Sequence, residues 1–426
     1  MRRKSKAAKN EYPLHFLLFK MPEMKFPNNF LWGASTSAYQ VEGGNLNDWT
    51  KWEKANAGRL AKKTKTYWQK WQREKFPEML EPENYLSGRA ADHYYCFEKD
   101  FDLAKSLNHN AHRFSIEWAR IEPREGKINQ NEIEHYRQVL KALRQRGLEP
   151  MVTLWHFTLP LWLAKKGGWL NPKAPYYFDR YVKIISENLF NEVKFWSTIN
   201  EPNVYASNSY YRGVWPPQRK SVFKYFKVLK NLARAHQLAY QSLHLIDLDC
   251  QVGISKNNIY FENIPLVDYF WNKYFLNKIK REQDFIGLNY YFHRRLGGNK
   301  NKVVSDLGWE IYPEGIYRVL KDLKKYHKPI YITETGLADK DDSKREKFIK
   351  EHLTWVYQAI QNGVDIKGYF YWSLLDNFEW DKGFWPRFGL IEVDYLPRRQ
   401  AGQTMERKIR PSALEYAKIC RENKLQ

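Results

Sequence analysis

Short apolar runs rich in β-branched and aromatic residues recur along the chain, and each is followed by a turn and a longer amphipathic stretch. Eight such runs are FLWGAS at 30–35, AHRFSI at 111–116, PMVTLWH at 150–156, KFWSTIN at 194–200, QVGIS at 251–255, DFIGLNYY at 284–291, PIYITE at 329–334 and GYFYWSLLD at 368–376. Runs of this length and composition are typical of buried strands. The segments between them are long enough for a crossover helix and its loops.

Helical patterns lie between the predicted strands. In NEIEHYRQVLKALRQRG, at 131–147, apolar residues recur at helical spacing and Gly147 supplies a stop signal. Strand and helix therefore alternate along the whole chain, without a composition break or a flexible linker, which favours a single (β/α)8 barrel of the α/β class over an open doubly wound sheet. The wide segment at 45–90 is expected to be an insertion over the C-terminal face of the barrel.

Composition and charge narrow the class of protein. The chain has 426 residues, 43% of them hydrophobic, which is enough for a large packed core. Its net charge is +22, but the basic residues are scattered and no nucleic-acid-binding signature appears, so association with nucleic acid or a membrane is the minority alternative. Residues 1–24, which contain the cluster MRRKSKAAK, are interpreted as a basic, disordered tail, and residues 25–426 as the barrel domain.

The cysteines and histidines give no sign of a metal centre. Cys96, Cys250 and Cys420 lie far apart without a CxxC pair, which fits a reducing compartment and makes the cytoplasm the default location. His109 and His112 form an HxxH pair without an obvious third ligand. We therefore expect neither a metal site nor a cofactor, and the sequence leaves the oligomeric state open.

Polar and aromatic side chains follow the ends of nearly every predicted strand, where the chemistry of such barrels collects. These positions are Gln40, Arg113, His156, Asn200, Glu201, Asn289, Tyr291, Glu334, Trp372, Glu379 and Trp380. A barrel built for stability alone has no need of them, since buried polar groups require hydrogen-bond partners. Glycoside cleavage requires a pair of carboxylic groups, one to protonate the leaving oxygen and one to attack the anomeric carbon or activate water, and Glu201 and Glu334 can supply that pair.

Aromatic residues accompany the two carboxylates. Flat apolar faces suited to the C–H surface of a sugar are offered by Trp155, Phe157, Trp309, Trp372 and Trp380. Each of these residues alone is more often part of a core, so the prediction of a carbohydrate pocket depends on their coincidence with polar strand ends.

Several segments together resemble glycoside hydrolase family 1, the β-glucosidase family. They are FLWGASTSAYQVEGG, HRFSIEWARIEP, TLWHFTLPLWL, TINEPN, GLNYY, LGWEIYPEG, YITETG and YFYWSLLDNFEW with RFGLIEVD, and they extend over approximately residues 25 to 420. The resemblance implies that Glu201 is the general acid and base and that Glu334 is the nucleophile. The residues alone do not decide which glutamate has which role.

The resemblance also implies a retaining double displacement, with the two carboxyl groups about 5 to 5.5 Å apart. Arg113 and Tyr291 would hold the nucleophile, and Asn200 would bind the sugar 2-hydroxyl. Because Arg113 is a nearby cation, we expect it to lower the pKa of Glu334, whereas Glu201 beside a negative neighbour stays protonated more readily.

Further site residues follow from the same resemblance. The glycone side would be formed by Gln40, His156, Asn200, Asn289, Trp372, Glu379 and Trp380, and the aglycone side by Phe157, Asn203 and Trp309. A carboxylate at Glu379 would repel a sugar phosphate, so the expected partner is a small, unphosphorylated β-glucoside, galactoside or fucoside.

Two departures from the family pattern leave the aglycone preference open: Thr335 replaces the usual asparagine after the nucleophile, and Phe157 follows His156 where many relatives carry tryptophan. Two alternatives to a hydrolase remain. A catalytically silent carbohydrate-binding barrel has no use for both carboxylates, which argues against it. A transglycosylase would use the same first step and a sugar hydroxyl in place of water.

Overall fold

The computed structural model describes residues 23–299, 301, 303–395 and 405–425. The tail predicted at 1–24 lies outside the described residues up to residue 22. Its last position, Met24, belongs to the short strand β1 (Met24–Lys25), which pairs antiparallel with β12 (Lys424–Leu425). The beginning and the end of the described chain therefore meet in one two-stranded sheet.

Eight parallel strands close into a barrel in sequence order. They are β2 (Leu31–Ser35), β3 (Ala111–Ser115), β4 (Glu149–Trp155), β5 (Phe195–Asn200), β6 (Gln251–Glu262), β7 (Phe285–Arg295), β8 (Ile330–Thr335) and β9 (Ile366–Trp372). Pairing of β9 with β2, with Ser35 opposite Trp372, closes the ring. The predicted (β/α)8 barrel is confirmed, and each of the eight apolar runs overlaps one of these strands.

Helices surround the barrel and connect its strands. They are α1 (Ala38–Val41), α2 (Asp48–Tyr67), α3 (Lys70–Lys75), α4 (His93–Ser106), α5 (Trp118–Ile121), α6 (Gln130–Gln145), α7 (Leu161–Lys165), α8 (Ala174–Leu189), α9 (Pro202–Ala206), α10 (Val222–Ile246), α11 (Pro265–Asp268), α12 (Tyr274–Ile279), α13 (Glu314–Leu323), α14 (Arg345–Gln361) and α15 (Pro411–Glu422). Short 3₁₀ turns lie at Pro77–Leu80, Pro82–Tyr85, Gly168–Leu170, Phe190–Glu192, Lys324–Tyr326 and Trp380–Lys382, and π-helical turns at Ser207–Tyr211 and Tyr269–Lys273. A small hairpin pairs β10 (Ile391–Val393) with β11 (Arg407–Ile409).

The helix predicted at 131–147 forms as α6. Its buried side chains lie on one face, at Ile133, Tyr136, Leu140 and Leu143 among others, as the apolar spacing requires. Gly147 follows with φ +65°, a conformation that glycine adopts without steric cost.

Apolar side chains fill one end of the barrel and leave the other to polar groups. A cluster near the starts of the strands contains Ala111, Met151, Phe195, Phe285, Tyr331 and Phe370. On β5, for example, the strand begins with the buried Phe195 of this cluster and ends with the buried Asn200. This division places the polar site at the carboxyl ends of the strands.

The segment at 45–90 forms α2 and α3 with two 3₁₀ turns and lies beside that polar end. Trp49 of α2 packs against Trp380 with ring centroids 4.7 Å apart, and Thr64 and Tyr85 share a hydroxyl hydrogen bond of 2.8 Å. The predicted insertion over the C-terminal face is confirmed. Within the described part of the chain, no helix has both the length and the apolar character needed to cross a bilayer.

Candidate active site

A cavity of about 380 Å³ opens at the carboxyl ends of the barrel strands. Of the residues predicted from the sequence, those that line it are Gln40, His156, Phe157, Asn200, Glu201, Tyr291, Trp309, Glu334, Trp372, Glu379 and Trp380. Arg113 and Asn289 do not line the cavity but bond to residues that do. Asn203 does not line it either, and its Nδ2 donates to the backbone oxygen of Asn257 at 3.3 Å.

The local backbone holds Glu201 at the end of β5. Its own φ is +43°, and Pro202 begins α9 directly after it, where the fixed φ of proline suits the first helical turn. The Glu201 backbone N–H donates to the oxygen of Ser255 on the neighbouring strand β6 at 2.7 Å. The apolar run of β5 therefore stops at Glu201 because a strand ends and a helix begins there.

The Glu201 carboxyl group is 7% exposed and has neutral partners. Its Oε1 accepts hydrogen bonds from Asn257 Nδ2 at 3.1 Å and from Asn289 Nδ2 at 2.9 Å. Burial, followed by the negative charge of Glu334, raises the pKa of Glu201 to about 8. The group is therefore protonated at neutral pH, as a proton donor must be.

Glu334 lies on β8 and has a cation as its partner. Arg113 Nη1 donates to Oε1 at 2.5 Å, and the Tyr291 hydroxyl donates to Oε2 at 2.9 Å. The expected fall in the pKa of Glu334 is wrong in its net direction, because burial raises this pKa more than Arg113 lowers it. The ion pair nevertheless favours the ionised form of Glu334 over that of Glu201, which has no direct cationic partner among the described residues.

Two amide side chains join the carboxyl groups into one network. Arg113 Nη2 and Asn289 Nδ2 both donate to Asn200 Oδ1, at 2.7 and 3.2 Å. Since Asn289 also bonds to Glu201 and Arg113 also bonds to Glu334, the two carboxyl groups are fixed relative to each other through three side chains. Thr333 Oγ1 donates to Asn289 Oδ1 at 2.7 Å and sets the orientation of that amide.

His156 is neutral, and its ring proton is on Nδ1. Asn200 Nδ2 lies 3.0 Å from His156 Nε2 and can only donate, so Nε2 accepts. Burial, together with the charge of Arg113, holds the pKa of His156 well below its usual value. Within the described chain Nδ1 is buried without a hydrogen-bond partner.

The rest of the predicted glycone side gathers around this histidine. The rings of Trp380 and Trp372 lie nearly parallel to His156, with centroids 5.9 and 6.1 Å away. Gln40 Nε2 donates to Asn377 Oδ1 at 2.8 Å and to the Phe378 backbone oxygen at 3.0 Å. Burial raises the pKa of the neighbouring Glu379 to about 8, although the Lys382 charge opposes the shift.

Trp155 does not belong to the site. It is 1% exposed and packs edge-on against Trp169 and Tyr205, with centroids 5.1 and 4.8 Å away. Successive residues of a strand point to opposite faces, so His156 and Trp155 cannot both face the cavity. The prediction of a sugar-binding face at Trp155 is therefore wrong.

Two residues next to Glu201 were not predicted. Asn257 bonds to the carboxyl group directly, and Lys256 lies behind it with 1% exposure. Lys256 Nζ donates to the backbone oxygens of Asn257 and Trp271, at 2.6 and 2.8 Å, and to Asn258 Oδ1 at 3.2 Å. Three oxygen acceptors match the three N–H groups of an ammonium ion, although burial lowers the pKa of Lys256 to about 7.

The HxxH histidines do not form a metal centre in the described residues. His109 and His112 are buried, and His112 Nε2 lies 3.2 Å from Thr36 Oγ1. Within residues 23–299, 301, 303–395 and 405–425, no three His, Cys, Asp or Glu side chains are close enough to hold a metal ion together.

The barrel and its pair of buried, differently partnered carboxyl groups are the arrangement of a glycoside-cleaving enzyme. Comparison with known sequences gives the family: residues 22–267 and 272–425 match glycosyl hydrolase family 1, and the chain belongs to it.

Relatives and solved structures agree with this assignment. The chain is 34% identical to β-glucosidase A of Thermotoga maritima over 94% of its own length and 99% of that protein. The structure of a β-glycosidase from Pyrococcus horikoshii is similar, with a TM-score of 0.83, 36% identity and coverage of 95% and 96% of the two chains. A Thermotoga maritima β-glucosidase in complex with deoxynojirimycin has a TM-score of 0.82, 31% identity and coverage of 94% and 100%.

Proposed function

We propose that the protein is a retaining β-glycosidase that removes a terminal, unphosphorylated β-D-glucosyl, β-D-galactosyl or β-D-fucosyl residue from a small glycoside. The observation that carries the proposal is the difference between the two carboxyl environments. Glu334 accepts from Arg113 and Tyr291, whereas Glu201 accepts only from amides and has a pKa of about 8. A protonated acid and an ionised nucleophile are thereby available together at neutral pH.

The first half of the reaction transfers the sugar to Glu334. One oxygen of the Glu334 carboxylate attacks the anomeric carbon, and the bond from that carbon to the leaving oxygen breaks. Glu201 gives its proton to the leaving oxygen, so the aglycone departs as a neutral alcohol or phenol. Arg113 and Tyr291 orient the attacking carboxylate until the glycosyl ester has formed.

The second half returns the enzyme to its starting state. Glu201, now ionised, takes a proton from a water molecule whose oxygen attacks the same carbon from the opposite side, and the Glu334 carboxylate leaves. Two inversions give net retention. The neutral Glu334 ester removes the charge that raised the pKa of Glu201, which favours its ionised form in this step.

Sugar hydroxyls are expected to bind His156 Nδ1, Gln40, Asn200 and Glu379, with the faces of Trp372 and Trp380 against the sugar C–H surface. Glu379 lies on this side of the cavity, where an acidic group in the place of a cation disfavours a sugar phosphate. The names of the relatives make a β-glucoside the first substrate to test.

The test is hydrolysis of 4-nitrophenyl β-D-glucoside, with the anomer released first identified by proton NMR. We expect the β-anomer, and in Glu334→Gln a fall in kcat of about four or more orders of magnitude. A matched control is Glu351→Gln, since Glu351 lies on α14 and, among the described residues, forms an ion pair only with Lys347 at 3.8 Å. Initial release of the α-anomer, or full activity of Glu334→Gln, would overturn the mechanism.

A further inference from the structure

Positive charge surrounds the mouth of the cavity, and carboxyl groups lie at its floor. The cationic side chains that line the cavity are Lys63 on α2, Arg212, Arg294 on β7 and Lys382. The floor carries the carboxyl groups of Glu201, Glu334 and Glu379. We refer to Lys63, Arg212 and Arg294, which are exposed, as the rim cations.

The rim cations are not neutralised by the protein around them. Among the described residues, none of the three has a carboxylate within 4 Å, whereas Lys382 pairs with Asp381 at 2.8 Å. Asp381, the remaining carboxylate of the lining, is already engaged by Lys382 and by Trp215 Nε1 at 2.9 Å. The mouth therefore has three cations in excess.

Two of the rim cations, Lys63 and Arg212, are close enough to repel each other. Burial lowers the pKa of Lys63 first; the negative charge of Asp381 opposes this shift, and the positive charges of Lys382, Arg59 and Arg212 add to it. Gathering like charges at one opening is unfavourable for the empty protein, and an anion bound between them would relieve the repulsion.

Aromatic rings alternate with the rim cations. Lys63 Nζ lies 4.8 Å from the ring centroid of Tyr67, and the Arg294 guanidinium lies 5.7 Å from that of Phe292. Further aromatic side chains of the same lining are Trp68, Trp271 and Trp309. Rings beside cations suit a ligand that is flat, apolar and negatively charged.

We infer that the leaving-group side of the cavity binds an anionic aromatic aglycone, so that the preferred substrates are aryl β-glycosides whose aglycone carries a carboxylate or a sulfate. The inference rests on the proposed function and names the substrate class of the same site.

The test compares 4-carboxyphenyl and 4-carbamoylphenyl β-D-glucoside, which have similar shapes and differ in charge. Binding is measured by calorimetry in the Glu334→Gln background, so that the result does not depend on turnover. At low salt we expect the carboxylate to bind about five- to tenfold more tightly than the amide, and the ratio to approach one at about 0.5 M salt.

Substitution of the rim cations separates their effect from that of net charge. In Lys63→Gln/Arg212→Gln/Arg294→Gln the ratio of the two dissociation constants should fall to about one. The control Lys62→Gln/Arg234→Gln/Arg281→Gln removes one lysine and two arginines that are also exposed and do not line the cavity, and it should keep the ratio. Two results would overturn the inference. The first is a ratio of dissociation constants near one when the rim cations are intact, and the second is a preference for the carboxylate that remains after the rim cations are replaced.

Hydrolysis of the same pair in the enzyme with Glu334 distinguishes the two proposals. Tight binding of the carboxylate without release of either aglycone would contradict the proposed function and leave the anion site standing. Release of both aglycones at equal kcat/KM, with equal binding of the two glucosides, would support the proposed function and contradict the anion site.

Discussion

Glu201 and Glu334 have the same type of side chain, and the groups that surround them make them chemically different. Arg113 and Tyr291 donate to Glu334, whereas two asparagine amides donate to Glu201. Burial raises the pKa of both groups, the charge of Glu334 raises that of Glu201 further, and Arg113 and Tyr291 oppose the shift at Glu334. The direction of this difference followed from the family resemblance and not from the residues alone, and the net pKa of Glu334 was not predictable because burial depth is a property of the folded barrel.

Lys256 adds a second cation to this balance. It lies behind Asn257, and the charges that face it are those of Glu201 and Asp268, of which Asp268 pairs with Lys273 at 2.6 Å. The ammonium ion therefore stabilises the ionised form of Glu201. It also holds the backbone of Asn257, whose amide bonds to the Glu201 carboxyl group.

We predict that Lys256→Met moves the alkaline limb of the pH profile of kcat/KM to higher pH, by about half a unit. Loosening of the Asn257 bond raises the pKa of Glu201, and loss of the fraction of Lys256 that is still cationic near pH 8 raises it further, so the protonated acid persists to higher pH. The profile is measured with an aryl β-glucoside and compared with that of Lys278→Met, which removes an exposed lysine of α12. An alkaline limb that stays in place, or moves to lower pH, would contradict the prediction.

At the scale of secondary-structure elements, the barrel was predictable because its strands are apolar runs separated by amphipathic helices. The period of α6 and the stop at Gly147 follow directly from steric and hydrophobic rules. Placement of Glu201 also followed, since an apolar strand that ends in a carboxylate and proline is unusual. These sequence patterns each lie within one short segment, and the folded structure shows the helix and strand ends that they predict.

Contacts between elements were less predictable. Lys256 lies inside the length of β6 with no pattern that marks it, and its acceptors include the oxygen of Trp271 in a separate turn. The rim cations come from α2, a loop and β7, and nothing in the separate segments shows that they share one opening. The sequence prediction placed Trp155 in the site wrongly, because neighbouring strand residues point to opposite faces and His156, one residue later, is the one that lines the cavity.

Gly336 shows how closely the ends of β8 and β9 approach. A Cβ added there would lie 1.8 Å from the backbone oxygen of Trp372, so the two strand ends would have to separate. Glu334 lies two residues earlier, on β8, and its distance from the ring of Trp372 depends on this approach.

We predict that Gly336→Ala lowers the free energy of unfolding by about 1 to 3 kcal/mol and also lowers kcat/KM. The control is Gly58→Ala in the exposed middle of α2, where an added Cβ meets nothing within 4 Å. That change should stabilise the protein by about 0.5 to 1 kcal/mol, because alanine favours a helix. Thermal unfolding measures both variants, and equal effects of the two would refute the steric argument.

At the scale of the whole molecule, buried ionisable groups set the pH at which the fold is most stable. Among the described carboxyl groups whose pKa burial raises, the pKa reaches about 7 for Glu53 and Glu117 and about 8 for Asp48, Glu201 and Glu379. The folded chain holds these protons where the unfolded chain has released them, so stability falls as pH rises from about 4.5 to 8. Lys256 acts in the opposite direction above pH 7, but it is a single group.

Buried histidines limit stability on the acid side. Burial lowers the pKa of His109 to about 3 and of His236 and His352 to about 4, so they stay neutral while the unfolded chain takes up protons below about pH 6.5. Stability is therefore lost as pH falls from about 6.5 to 4, where the carboxyl groups act in the opposite direction. Between pH 6.5 and 8 the carboxyl groups dominate, and the melting temperature should fall through that range.

The carboxyl contribution can be isolated with Glu53→Gln/Glu117→Gln, which replaces two residues that are each 2% exposed. Each group changes stability by at most about 1.4 kcal/mol per pH unit. The melting temperature of the wild type minus that of the double variant should decrease from pH 5.5 to pH 8, because only in the wild type does unfolding release protons from these two groups. Histidines, Lys256 and most of the net charge are common to both proteins and cancel in this difference. A difference that is constant with pH, as expected for the exposed Glu351→Gln, would mean that neither carboxyl group is protonated in the folded protein.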